Sequence, residues 1–359
     1  MNNFSWIATW KITQRCNLYC VYCDHASMRP AGARESIDYE KALRTIGAYA
    51  PKILNISGGE PTLVETLPQI VANAKKQWNP FIRIVHNGTN PKKLIPCLPY
   101  IDRVVISLDG PDPINKRNRG ISAQTVYKKL KEVLPEFARH GVQVYFNCVL
   151  STVNVHAIRQ LAQEAADLSP AITVSFTPIM PPDSDLSILR DEKTFGNFLA
   201  TYNDLKQQGF SVMQVFDGIR LHENYKKIQC YNQYFTIRAT PKGQILTCAM
   251  NTALHAGQYR YYFGKLFSKN GVEKALTRIK KKVKQQLHTP PDFSCTTLCA
   301  CENWLDLVFL GIPSDCISHY SKGLQGRLTE TDFANVEAFV QKNINPNFKK
   351  EMLIKAIND

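Results

Sequence analysis

The chain has 359 residues, of which 44% are hydrophobic and 11 are cysteine, and its net charge is +14. That length suits one large α/β domain with an appendage, or two domains, and it excludes the small secreted class in which many cysteines mean a disulfide framework; in a long intracellular chain clustered cysteines more often bind metal. No apolar run is long enough to span a bilayer, and the opening Met1-Asn2-Asn3-Phe4-Ser5-Trp6 lacks the basic start and apolar core of a signal peptide, so a soluble cytoplasmic protein is expected.

In chain order, an apolar, β-prone run over residues 6–12 leads directly into Cys16-Asn17-Leu18-Tyr19-Cys20-Val21-Tyr22-Cys23. Three thiolates on one loop can hold three irons of a [4Fe–4S] cluster and leave the fourth iron open for chemistry. A structural zinc site wants four ligands, usually as two separated pairs, and no partner pair follows nearby. Three buried free cysteines are the plainer alternative. A second strand over 52–56 runs into Ser57-Gly58-Gly59-Glu60-Pro61-Thr62. Paired glycines allow a close approach to the backbone, and a fixed carboxylate beside them can receive an ammonium group.

Further strands are predicted over 81–85, 102–107, 142–149 and 172–177. Helical spacing joins Val126, Leu130, Val133 and Phe137 in 123–139 behind Ser122 as N-cap, and Ile158, Leu161 and Ala165 in 154–167 behind Asn154. Six β/α units imply a parallel sheet, and the C-terminal strand ends of such a sheet carry the site. Polar residues follow the strands there: His86-Asn87-Gly88-Thr89, Ser107-Leu108-Asp109-Gly110, Asn147 and Thr177. Cys97 and Cys148 fall outside any cluster spacing and read as buried structural thiols. Residues 179–190 read as a loop that could border the substrate space, and 211–229 as a passage to a second module.

That module starts at Cys230. Residues 235–238, Pro241-Lys242-Gly243-Gln244 and 245–246 read as a hairpin with Gly243 at the bend, followed by Cys248. A lysine-rich helix is expected over 274–287, then Cys295, Cys299, Cys301 and Cys316. Six cysteines grouped in this way indicate a second metal site, with zinc as the alternative to iron–sulfur. In the tail, Phe333, Val336 and Val340, then Phe348 and Met352, predict packing helices.

The cysteine loop together with the Gly58-Gly59-Glu60-Pro61 strand end resembles the radical S-adenosylmethionine (radical SAM) superfamily over about residues 6–215. The resemblance implies an α/β fold, a partial (β/α)6 TIM-like barrel, with a small C-terminal α+β hairpin-and-helix cluster-binding module. It implies that Cys16, Cys20 and Cys23 bind a [4Fe–4S] cluster whose open iron chelates the methionine moiety of SAM, and that Gly58, Gly59 and Glu60 hold its amino group. By the same resemblance Ser107 and Asp109 meet the SAM ribose and carboxylate, and Tyr22 lies near the adenine. Arg117, Arg119 and Gly120 match an Arg-Gly after the fourth strand, and Asn87 and Asn147 complete the cofactor-binding set. Residues 216–327 resemble the auxiliary-cluster modules called SPASM and, in shortened form, twitch. One auxiliary [4Fe–4S] cluster is then expected on Cys230, Cys248 and two of Cys295, Cys299, Cys301 and Cys316. The expected organisation is a barrel over 1–215, this module, and a helical tail over 328–359.

The family reaction cleaves SAM reductively to a 5′-deoxyadenosyl radical that abstracts hydrogen from a substrate. An electron donor such as flavodoxin or ferredoxin is implied, and an auxiliary cluster binds substrate or accepts an electron. The favoured substrate is a small molecule (a sugar, nucleotide or other anion), in keeping with the basic charge. With the loop reached at residue 16, no N-terminal leader-peptide-binding domain is expected. A peptide or protein maturase is the alternative, and RNA modification ranks lower, because the lysines of 274–287 lack the interleaved aromatics that stack on bases.

Overall fold

The computed structural model describes residues 6–23, 37–179, 185–214, 235–243, 245–246, 308 and 318–358. The β/α alternation forms as predicted: β1 (Ile7–Thr13), α1 (Tyr39–Gly47), β2 (Ile53–Gly58), α2 (Leu67–Trp78), β3 (Phe81–His86), β4 (Arg103–Ser107), α3 (Ile114–Arg119), α4 (Ala123–Lys131), α5 (Leu134–Arg139), β5 (Gln143–Leu150), α6 (Ile158–Leu168), β6 (Thr173–Pro178), α7 (Glu192–Gln207), β7 (Val212–Gln214), β8 (Thr236–Ala239) and β9 (Ile245–Leu246). Helices α8 (Ser318–Leu324), α9 (Glu330–Asn343) and α10 (Lys350–Asn358) end the chain. One sheet takes the order β7-β6-β5-β4-β3-β2-β1-β8-β9. Strands β1 to β8 are parallel to their neighbours, and β9 returns antiparallel to β8. Among the described residues its two edges, β7 and β9, are not joined, as in a partial barrel.

The sheet has more strands than the expected six. Val212–Gln214 lies where a passage is predicted, yet it pairs with β6; three residues are too few to carry a period of two. The predicted hairpin forms with Gly243 at φ +75, where a Cβ would come within 2.6 Å of Ala42 Cα in α1. The hairpin joins the β1 edge, and Trp10 Nε1 donates to the Thr240 carbonyl at 3.2 Å. The sheet therefore runs on across the expected division at 215/216.

Two helix readings need correction. The single helix predicted over 123–139 is two, because Pro135 has no N–H and its ring collides with the carbonyl one turn back. Ser122 does not cap α4 with its side chain; Asp112 does, accepting from Ala123 N at 2.9 Å and from the Ser122 hydroxyl. Asn154 likewise makes no cap: its Nδ2 donates to the Asp109 and Val149 carbonyls, both at 2.9 Å, tying the β4 end to the β5 end.

The two faces of the sheet differ in kind. Ala8, Trp10, Ile12, Leu54, Ile56, Ile82, Ile84, Val104, Ile106, Phe146 and Phe176 are buried under the helices in the main core. Cross-strand pairing sets their alternates on the other face. One row reads Arg238–Thr9–Asn55–Arg83–Arg103–Gln143 across six strands. Toward the C-terminal ends lie Lys11–Ser57 and Ser107–Asn147–Ser175. Below, Ile7–Ile53–Phe81 forms an apolar floor. Helix α8 closes it so tightly that a Cβ on Gly323 would come within 2.7 Å of Ile53 Cδ1. The predicted tail helices form, with Val336, Val340 and Phe348 buried and Phe339 edge-on to Phe235 at 6.1 Å. No helix among the described residues is long and apolar enough to cross a membrane.

Candidate active site

The C-terminal ends of β1 to β5 converge on the cysteine loop, residues 14–23. Its root is fixed by β2. Gly59 N donates to the Thr13 carbonyl and Glu60 N to the Arg15 carbonyl, both at 2.7 Å. Gly58 sits at φ +134, and a Cβ there would lie 2.4 Å from Thr13 O; on Gly59 it would lie 2.0 Å from Arg15 O. Only glycine fits such a backbone-to-backbone approach. What the pair admits on that side is the chain's own loop.

Glu60 is 1% exposed. Its Oε1 accepts from Thr62 N at 3.0 Å and Thr62 Oγ1 at 2.7 Å and meets His86 Nδ1 at 2.8 Å; its Oε2 accepts from Asn87 N at 2.8 Å. Burial pushes its carboxyl up, but the His86 charge and hydrogen bond, with those of Thr62, outweigh it and hold the group below its ordinary value. The carboxylate thus clamps β2 to β3. The sequence marked His86 only as a polar strand end, and its role as the partner of Glu60 had no separate signal. Asn87 carries the clamp to the loop: its Nδ2 donates to Asn17 Oδ1 at 2.7 Å and lies 3.9 Å from Cys16 Sγ.

The far side of the loop is fixed by β4. The Tyr22 hydroxyl donates to Asp109 Oδ2 at 2.5 Å, Arg119 Nη2 donates to Asp109 Oδ1 at 2.7 Å, and Val149 N donates to Asp109 Oδ1 at 3.1 Å. The Arg119 guanidinium stands 5.5 Å from the Tyr22 ring centroid. Val21 N donates to the Asn118 carbonyl at 2.9 Å. Asp109 is fully buried and bonded within the chain rather than turned toward open space. Ser107 and Asn147 do face the inner side, half-buried, with Asn147 Nδ2 3.3 Å from Thr177 Oγ1. Arg117 is exposed and lines a separate pocket of about 560 Å³ with His156 and Gln160. Gly120 ends α3 in the left-handed region.

Cys16, Cys20 and Cys23 are half-buried free thiols, and Cys23 N turns back on the Cys20 carbonyl at 3.0 Å. Burial, against the nearby Arg119 charge, pushes the Cys20 thiol up to about 11, with Cys23, Asp109 and Cys16 adding to it. Among the described residues no three His, Cys, Asp or Glu side chains are drawn into a metal-binding group. The donor set nevertheless fits an iron–sulfur cluster: three thiols share one half-exposed loop whose backbone is fixed on both sides. Cys97 and Cys148 are buried away from it, as predicted. Cys230, Cys248, Cys295, Cys299, Cys301, Cys316 and the helix expected over 274–287 lie outside the described residues.

Residues 10–165 match the family model described as the radical SAM superfamily. The S-adenosylmethionine-dependent nucleotide dehydratase of Fibrobacter sp. (strain UWH6) is 30% identical over 174 residues, 44% of this chain and 51% of the relative. The probable GTP 3′,8-cyclase of Methanopyrus kandleri is 29% identical over 171 residues, 44% of this chain and 52% of the relative. The chain spans about half the length of the curated relatives it matches. Streptococcus suis SuiB bound to the precursor peptide SuiA superposes with a TM-score of 0.54 at 17% identity, over 87% of this chain and 74% of that one, which supports the fold.

Proposed function

We propose that the chain is a radical SAM enzyme, as the match of residues 10–165 to that family model supports, and that it cleaves SAM at a [4Fe–4S] cluster on Cys16, Cys20 and Cys23 and oxidises or rearranges a small anionic molecule. The observation that carries this is the place of the three thiols: one loop, at the C-terminal end of β1, pinned by β2 on one side and β4 on the other. When bound, the cluster supplies one electron to SAM and so gives access to hydrogen abstraction. The chain's own residues fix the loop (Gly58, Gly59, Tyr22, Asp109, Arg119), clamp the strand ends (Glu60, His86, Asn87) and offer Ser107 and Asn147 to the cofactor from the inner face. In this reading Glu60 and Asp109 hold these parts in register, and the Gly58-Gly59-Glu60 strand end lies beside the SAM amino group.

Two relatives whose names specify nucleotide chemistry favour a sugar or nucleotide substrate. The fold shared with a peptide-bound enzyme keeps a peptide maturase as the second reading. An auxiliary cluster on Cys230, Cys248 and two of the four later cysteines, an electron donor such as flavodoxin or ferredoxin, and a cytoplasmic site of action belong to the same proposal. The test is anaerobic reconstitution followed by SAM, dithionite and, in parallel, nucleotides, sugar phosphates and short peptides. A rise in 5′-deoxyadenosine with the first two classes supports the reading, and a rise with peptides alone replaces it by the maturase.

A further inference from the structure

The pocket of about 560 Å³ that Arg117 lines lies between α3 and the start of α6. Its size is that of a small-ligand site. Pro111, Ile114, Val153 and Ala157 give it an apolar wall, and all of these but Val153 are buried. Arg117, His156 and Gln160 are its exposed polar rim. Exposed arginines elsewhere pair with carboxylates: Arg44 with Glu40, Arg139 with Glu136, Arg159 with Asp204 and Arg190 with Asp185. Among the described residues Arg117 has no such partner, and neither its guanidinium nor the His156 ring makes a hydrogen bond. The carboxylate in the lining, Asp112, is engaged at α4, where it accepts from Ala123 N at 2.9 Å and from the Ser122 hydroxyl. Gln160 Nε2 is taken up by Glu164 Oε1 at 2.9 Å. Two nitrogen-bearing side chains therefore face an apolar wall with nothing to bind.

We propose that this pocket is a second ligand site, for a small organic anion with an apolar body. The carboxylate or phosphate sits on Arg117 and His156, and the body lies against Pro111, Ile114 and Ala157. A guanidinium presents a planar fork matched to either anion, and an imidazole keeps one ring N–H in either neutral tautomer. A bare inorganic ion would leave the wall in water, and a neutral apolar molecule would leave both nitrogen groups unmet. No residue that fixes the cysteine loop, and none on the inner face of the sheet, lines the pocket. The two are nevertheless neighbours through α3, a helix of six residues. Next to Arg117, the Asn118 carbonyl accepts from Val21 N at 2.9 Å and Arg119 pairs with Asp109 at 2.7 Å. The site stands apart from the radical SAM reading and does not depend on it.

The test is a calorimetric titration of the anaerobically reconstituted full chain, with and without saturating SAM. The probes are phenylpropionate, phenyl phosphate, the neutral phenylpropionamide and inorganic phosphate. At least one of the two ring-bearing anions is expected to bind saturably, and the tighter of them identifies carboxylate or phosphate. The amide and inorganic phosphate should each bind about tenfold more weakly or not at all. Arg117→Gln, a change at an exposed side chain, should weaken the tighter anion about tenfold or more. Arg117→Lys should keep part of the binding, and Lys116→Gln, at the adjacent cation outside the lining, all of it. Thermal unfolding of each variant separates lost binding from lost fold. The proposal is overturned if neither ring-bearing anion binds, if the amide or inorganic phosphate binds as tightly, or if folded Arg117→Gln binds like the wild type. Displacement of the bound anion by SAM would overturn it too, since the site would then be the cofactor's. Because heat of binding is read, the result is independent of whether the enzyme makes 5′-deoxyadenosine.

Discussion

Asp109→Asn isolates the contact that holds the cysteine loop to β4. The asparagine keeps the shape and one acceptor oxygen, which placed at Oδ1 still serves Val149 N and Arg119 Nη2 while the Tyr22 hydroxyl loses its acceptor at Oδ2; the larger loss falls on Arg119, whose side chain is 7% exposed and whose Nη2 loses a charged partner at 2.7 Å. Removing one member of a buried ion pair costs about 3–5 kcal/mol, because the other charge is left without compensation. Against a total stability of roughly 5–15 kcal/mol that is a large fraction. Urea unfolding of the metal-free chain should register a loss of about 3 kcal/mol or more, and alkylation of Cys20 and Cys23 should quicken as the loop loosens. Arg119→Met in the same background should restore at least half the loss, since the orphaned charge is then gone. The exposed pair Arg139–Glu136 serves as a control, and Arg139→Gln should leave the midpoint unchanged. A loss below about 1 kcal/mol for Asp109→Asn, or no recovery with Arg119→Met, would refute the claim that this pair fastens the loop.

Gly59→Ala pushes a methyl into the space 2.0 Å from Arg15 O; the loop root should shift at a cost of about 1–3 kcal/mol, with faster exchange of the Gly58–Glu60 amides and poorer iron uptake, and wild-type exchange would contradict it. Glu60 has a depressed carboxyl, so its contribution is whole above the ordinary 4.5 and is lost as pH falls through its lower folded value. Glu60→Gln should therefore be less stable than the wild type at pH 7 and should lose less between pH 5 and pH 3; parallel curves from urea titrations would show that the clamp is not ionic.

Much of the barrel was legible because its strands are short apolar runs closed by turn residues, and its helices repeat apolar side chains at helical spacing. β7 was not, since Val212–Gln214 is too short to show a period. Pro135 was visible but its effect was submerged by the continuing pattern of Val133 and Phe137, both fully buried. At the site the motif residues were found but their immediate partners were not. Gly58 and Gly59 admit the loop backbone, Glu60 turns to His86, and Asp109 turns to Arg119 and Tyr22, contacts set by which strands become neighbours. The row Arg238–Thr9–Asn55–Arg83–Arg103 draws on five strands and emerges only once register is known.

The central claim is that Cys16, Cys20 and Cys23 hold the cluster that cleaves SAM. It is tested most directly by replacing all three with alanine, reconstituting anaerobically with iron and sulfide, and measuring iron per chain and 5′-deoxyadenosine after dithionite and SAM. The account predicts that the wild type forms 5′-deoxyadenosine, that the variant forms none, and that the variant's iron falls by about four per chain, the content of one [4Fe–4S] cluster. Undiminished 5′-deoxyadenosine from the triple variant would contradict it.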